Sequence, residues 1–180
     1  MKKRLLTFMA AILIVYLTVG RGISIKHEIG KVLRLDLFWG DMEIHFDNHD
    51  HVWHNDGATV AVIHFSREHA ETMRQQLEHS SVWNSNPMPE EFRLLAYERC
   101  HTWAKPSSFR EMAQVPLIED GYWFLVNQDD FQHGILLYGQ DAVDTLVWES
   151  SWNAWHDPGG YALALYDRES DTLYYFQRNL

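Results

Sequence analysis

The densest run of potential metal ligands is HFDNHDHVWHNDG, from His45 to Gly57. Asp56-Gly57 suits a two-residue type I′ loop, because both positions of that turn need positive φ. The β-branched, apolar run Ala58 to Phe65 follows and reads as a strand with both faces covered. A loop at Asp56-Gly57 fixes partners by symmetry: Trp53 faces Val60, His51 faces Val62 and His49 faces His64. Side chains alternate along a strand. His49, His51 and His64 then share one face, with Asp47 just beyond. Directly opposed Cβ atoms lie roughly 5 Å apart, close enough for imidazoles to share a cation. Three histidines and a carboxylate form an open zinc-type set, with His54 as an assisting ligand. Such a set lowers the pKa of bound water to about 7, which is the chemistry of a metal-dependent hydrolase. A one-residue slip in register scatters the set between faces. The competing reading is a solvated or hydrogen-bonded hairpin surface, since no H-E-x-x-H or C-x-x-C motif occurs.

Two other groups invite chemistry. Cys100 is the only cysteine, so an intramolecular disulfide is excluded. Its neighbour His101 points away from it on a helix or strand, so the pair is no catalytic dyad by itself. Trp148, Trp152 and Trp155 form one stripe if Asp141 to Trp155 is a helix. An exposed tryptophan stripe stacks sugars or binds a partner, whereas a buried one packs on the sheet.

The positioning elements are read from period and punctuation. Asp41 to Phe46 alternates loosely and starts the strand that leads into the histidine run. Ser66 is a suitable N-cap, Glu68 sits in the first turn, and Ala70, Met73 and Leu77 follow at helical spacing to about His79. Trp83 to Pro89 is a loop. Pro89 at the first helical position, with Glu90 and Glu91, opens a short helix whose inner face is Phe92, Leu95 and Ala96. Residues 98–114 read as irregular. Glu119-Asp120-Gly121 is a turn into a strong strand at Tyr122–Val126, and Ile135–Tyr138 is a further strand. Tyr161–Tyr166 and Thr172–Phe176 form a hairpin around Asp167–Asp171. The pattern predicts an α+β domain: a mostly antiparallel sheet with helices packed on one face, preceded by an N-terminal hydrophobic helix.

Composition bounds the function classes. The 180 residues are 46% hydrophobic and 14% aromatic, enough to bury a core. All 25 acidic residues follow Gly22, and 11 of the 15 basic residues lie with them. That balance disfavours a nucleic-acid partner, and no basic patch with interleaved aromatics occurs. Residues 1–22 read as a signal peptide or signal-anchor helix: Lys2-Lys3-Arg4, then Leu5 to Val19, apolar apart from Thr7, Tyr16 and Thr18. Thr18, Gly20 and Gly22 supply small residues for cleavage, while an uncleaved segment makes a single-pass anchor with an extracytoplasmic domain. Residues 23–40 lead into that domain, which spans 41–180.

Several elements also carry a resemblance. They are NHDHVWHNDG, the strand ending in Phe65-Ser66 with its following helix, Trp83, and Asn86-Pro87-Met88-Pro89. Ile118-Glu119-Asp120-Gly121-Tyr122-Trp123-Phe124, Ala164-Leu165-Tyr166-Asp167 and Thr172-Leu173-Tyr174-Tyr175 complete them. Over Asp36 to Gln177 the chain resembles a family of small uncharacterised exported or membrane-anchored proteins of Gram-positive bacteria. Relatives usually carry glycines within the histidine segment, where this chain has Asp50, Val52 and Trp53. The resemblance implies location and an α+β domain, not an activity. Without an acid–base, nucleophile or phosphate-loop motif, the sequence leans away from an enzyme. It favours a tethered or secreted binding domain with a protein or cell-envelope partner. The alternative is a zinc-type metal protein built on Asp47, His49, His51 and His64.

Overall fold

The computed structural model describes residues 23–47, 57–99, 101–102, 105–130, 135–145, 148–149, 154–155 and 160–178. The expected N-terminal hydrophobic helix and the middle of the histidine run lie outside them. Among the described residues, no helix is long and apolar enough to cross a membrane. The chain divides into two compact units, Met1–Trp39 and Gly40–Leu180.

In the first unit residues 23–33 are helical (α1). The helix ends in a Schellman pattern: Leu35 N–H donates to Gly30 O at 2.9 Å and Arg34 N–H to Lys31 O at 3.3 Å. Arg34 takes the left-handed conformation, φ 56°, that glycine usually fills at this position. The chain then folds back over Gly30, where an added Cβ would stand 2.7 Å from Leu35 O. Ile29, Leu33, Leu35 and Leu37 are buried.

The second unit is an α+β domain. In chain order it holds β1 (Asp41–Asp47), β2 (Ala58–His64), α2 (Arg67–His79), β3 (Asn84–Ser85) and α3 (Glu90–Leu94). A π turn (Leu95–Arg99), β4 (His101–Thr102), β5 (Lys105–Ser108), α4 (Phe109–Ala113) and β6 (Gly121–Asp130) follow. The last elements are β7 (Ile135–Tyr138), α5 (Gly139–Asp144), β8 (Trp148–Glu149), β9 (Ala154–Trp155), β10 (Tyr161–Asp167) and β11 (Thr172–Arg178). The seven-stranded sheet runs β1-β2-β11-β10-β6-β3, with β7 also on β6. Each of its pairings is antiparallel.

Helices cover both faces of this sheet, not one. On one face Val60, Val62, Trp123, Leu125, Leu163, Leu165 and Phe176 join a core with Phe92 of α3, Phe109 of α4 and Ala142 of α5. Phe92 and Trp123 stack at 4.9 Å between centroids. The alternate residues Tyr122 and Tyr166 point to the other face. There Tyr122 Oη donates to Glu78 of α2 at 3.3 Å. The reason is in the strands: β10 is buried at all seven positions, so each face needs a cover.

Several local features differ from the sequence reading. Pro89 is the residue before α3 and not its first residue. The π turn widens the helix after Leu94, which brings Tyr97 inward beside Phe92, Leu95 and Ala96. Tyr97 Oη then accepts from Ile118 N–H at 3.2 Å. The supposedly irregular stretch contains a β4–β5 hairpin and α4. Ser108 and Glu111 make a reciprocal capping box at the start of α4. The expected helix from Asp141 to Trp155 stops at Asp144. Thr145 closes it by donating its hydroxyl to Ala142 O at 2.8 Å. Trp148 and Trp155 instead oppose each other across β8 and β9, so the helical tryptophan stripe does not form.

Gly121 opens β6 opposite Asp167 of β10, where the backbone of β10 passes close by. A Cβ there would lie 2.1 Å from Tyr166 O and 2.8 Å from Ile118 Cγ2. Neither neighbour is the far end of a flexible side chain. Gly121→Ala should therefore cost about 3 kcal/mol, as overpacking against rigid backbone does, and chemical denaturation of the purified variant measures it.

Candidate functional site

Asp47 and His64 are the two members of the zinc set that lie among the described residues. His49, His51 and His54 lie outside them. β1 pairs with β2 in a register that opposes Asp41 to His64, Glu43 to Val62, Phe46 to Val60 and Asp47 to Thr59. The expected partners of His64, Val62 and Val60 were His49, His51 and Trp53, so that register is not adopted. A bulge between Ile44 and Phe46 shifts it once more. The second edge of β2 is taken by β11, which sets Thr172 beside His64. Along Thr59–His64 both edges of β2 are therefore taken, one by β1 and the other by β11.

Asp47 consequently sits level with Thr59, whose hydroxyl reaches its Oδ1 at 3.4 Å. Thr59 and His64 are five residues apart along β2, or about 16 Å, and point to opposite faces. Asp47 and His64 do not share a cation. His64 meets Thr172 instead, with Nδ1 3.0 Å from Oγ1. Among the described residues, no group of three or more histidine, cysteine or acidic side chains is placed to hold a metal.

The polar chemistry that the fold does assemble lies at the β10–β11 turn. Asp171 has φ 51° and its carbonyl accepts from Phe65 N–H at 3.0 Å. Its Oδ1 accepts from Arg74 Nη2 of α2 at 2.6 Å and from Tyr166 Oη at 3.0 Å. Asp167 caps the same turn, accepting from Glu169 N–H at 3.0 Å and from the Ser170 hydroxyl at 2.6 Å. Burial, then the Asp171 carboxylate, pushes the Tyr166 phenol well above its ordinary range. The hydrogen bond to Asp171 raises Arg74 as well. A phenol kept neutral and a guanidinium bound to a carboxylate are poor proton carriers at neutral pH. This cluster fixes a turn; it does not resemble an acid–base pair. The link from Asp171 to Arg74 crosses 97 residues and leaves no local signal in the sequence.

The first unit offers a different surface. α1 and the returning residues 34–38 enclose a cleft of about 450 Å³ with mostly apolar walls. Ile23 and Phe38 line it, and Lys26, Lys31 and Arg34 stand around it. Asp36 shapes the turn by accepting from Phe38 N–H at 3.0 Å. Phe38 is 64% exposed and stacks edge-on with Trp39, itself 58% exposed, at 4.7 Å. Apolar walls with a cationic rim are suited to binding, with no nucleophile and base poised together.

No protein-family model, curated protein or solved structure matches the chain.

Two measurements test these placements. The observed register predicts that His64→Ala leaves zinc binding by the full chain unchanged within about twofold in calorimetric titration, because His64 stands apart from Asp47. The tyrosines predict alkaline sensitivity. Tyr97, Tyr122, Tyr166 and Tyr174 are all raised, chiefly by burial. Unfolded tyrosine ionises near pH 10 while these stay neutral in the fold. Their contribution is complete below about pH 10 and is lost progressively as pH rises through the folded values. The melting temperature should fall above about pH 10, and less steeply in Tyr166→Phe. At neutral pH that variant should lose about 1 kcal/mol, the worth of one hydrogen bond.

Proposed function

We infer that this chain is a membrane-tethered or secreted extracytoplasmic domain that binds a protein or cell-envelope partner and does not catalyse a reaction. One observation carries the reading: a basic cluster, Lys2-Lys3-Arg4, is followed by the nearly unbroken apolar run Leu5–Val19. That order is the signature of an export signal or anchor. The family resemblance over Asp36–Gln177 points the same way.

The chemistry of the folded part is consistent with binding. Its strongest polar cluster is committed to holding the β10–β11 turn. Exposed apolar groups are available at the sheet margins, Ile44 on β1 and Ile135 and Leu136 on β7. Such residues on edge strands are where a partner gains most from contact. A sole cysteine fits an exported domain held by its core and not by disulfides.

Orientation is the point that experiment must decide, since bases flank the apolar run on both sides. Lys2, Lys3 and Arg4 precede it; Arg21, Lys26, Lys31 and Arg34 follow. Expressed in full, the chain should stay with membranes through alkaline carbonate washing, or appear in the medium if it is cleaved. Protease added outside intact cells should degrade the carboxyl-terminal domain. Recovery in the cytosolic fraction, protected from that protease, refutes the reading.

A further inference from the structure

Residues 23–39 carry a small excess of cations, whereas the chain beyond them is strongly acidic. They hold three bases, Lys26, Lys31 and Arg34, against two acids, Glu28 and Asp36, whereas beyond them 23 acids stand against 8 bases. The same short unit displays Ile23 at 58%, Phe38 at 64% and Trp39 at 58% exposure. Large apolar side chains so exposed on so small a unit call for a cover. The fold creates this display deliberately. The left-handed Arg34 and the close pass over Gly30 turn the chain back, so that Phe38 lines the same cleft as Ile23 and Lys26.

We propose that residues 23–39 form a seat for an anionic bilayer surface, with Phe38, Trp39 and Ile23 entering the headgroup region and Lys26, Lys31 and Arg34 meeting lipid phosphates. The proposal rests on the membrane reading above and specifies how the domain meets the lipid. Two further features select a bilayer as the occupant. The apolar run Leu5–Val19 ends four residues before Ile23, so an anchored chain delivers this unit to the membrane surface. Aromatic rings beside lysine and arginine also match the layered chemistry of the interface, where rings sit at headgroup depth and long basic side chains reach outward to phosphate. Each base near an anionic surface contributes about fivefold in affinity. The acidic remainder is repelled by the same surface, so contact is confined to this unit.

The test uses the full chain with phosphatidylcholine vesicles, with and without phosphatidylglycerol, each containing bromine-labelled lipid near the headgroups. Flotation reports association. The difference in bromolipid quenching between wild type and Trp39→Phe isolates Trp39. The expected result is flotation on both vesicle types and a Trp39 component quenched more strongly with phosphatidylglycerol. Replacing Lys26, Lys31 and Arg34 by Gln should cut that increment several-fold. Flotation without quenching of Trp39 overturns the seat and leaves the anchor standing. Flotation only with phosphatidylglycerol, with Trp39 quenched, supports the seat and removes the anchor. Flotation on neither overturns both.

Discussion

Burial of both faces of the central strands is the constraint on which the rest of the second unit depends. β10 has no exposed position, and β2 is buried from Ala58 to Ile63. A sheet of this kind must be covered twice, which splits the helices: α2 on the Tyr122 and Tyr166 face, α3 to α5 on the Trp123 and Leu165 face. It also leaves little room for ionisable chemistry within the sheet. Burying a charge without a partner is too costly. Polar groups therefore collect where strands end, and the Arg74–Asp171–Tyr166 cluster is the clearest instance. There the carboxylate ties α2 to the closing hairpin, while the Asp171 carbonyl fixes the chain entering α2 at Phe65. One turn residue so joins three elements that are distant in sequence.

What the sequence made legible is what short-range physics decides. The β10–β11 hairpin has two apolar runs and a polar loop, and the observed strands match them. α2 begins after Ser66 and buries Ala70, Met73 and Leu77, the three positions of the helical stripe. β7 matches its apolar run, and β6 contains Tyr122–Val126 but continues through Asn127–Asp130. The capping box Ser108-x-x-Glu111 is equally local and readable, yet residues 98–114 read as irregular. The tryptophan segment misled for the opposite reason. Spacing of 148, 152 and 155 fits a helix, yet Ser150, Ser151 and Asn153 between them are turn formers, and short strands form on either side.

The expected hairpin register was not adopted, because register is not a local quantity. A two-residue loop at Asp56-Gly57 would have set His49 opposite His64; Asp41 stands there instead, and a bulge between Ile44 and Phe46 adds a further shift. β2 is also an interior strand. With β1 and β11 on its two edges, its directly opposed neighbours are set by residues 41–47 and 172–178, and distant sequence fixed half of them. Counting from a turn treats a strand as having one partner. For an interior strand that assumption fails before any question of ligand geometry arises.

The two units divide the physical roles by charge as well as by fold. A strongly acidic domain remains soluble and resists nonspecific association with anionic polymers and lipids. A basic, aromatic stretch works in the other direction and is effective only close to a surface, because screening confines its reach to about 8 Å at physiological salt. On the proposal above, the small cation excess of residues 23–39, next in sequence to an apolar run, would use that short range, with attraction acting on this unit and repulsion on the remainder. An anchored chain would then have its acidic domain repelled by the same lipid surface that attracts residues 23–39.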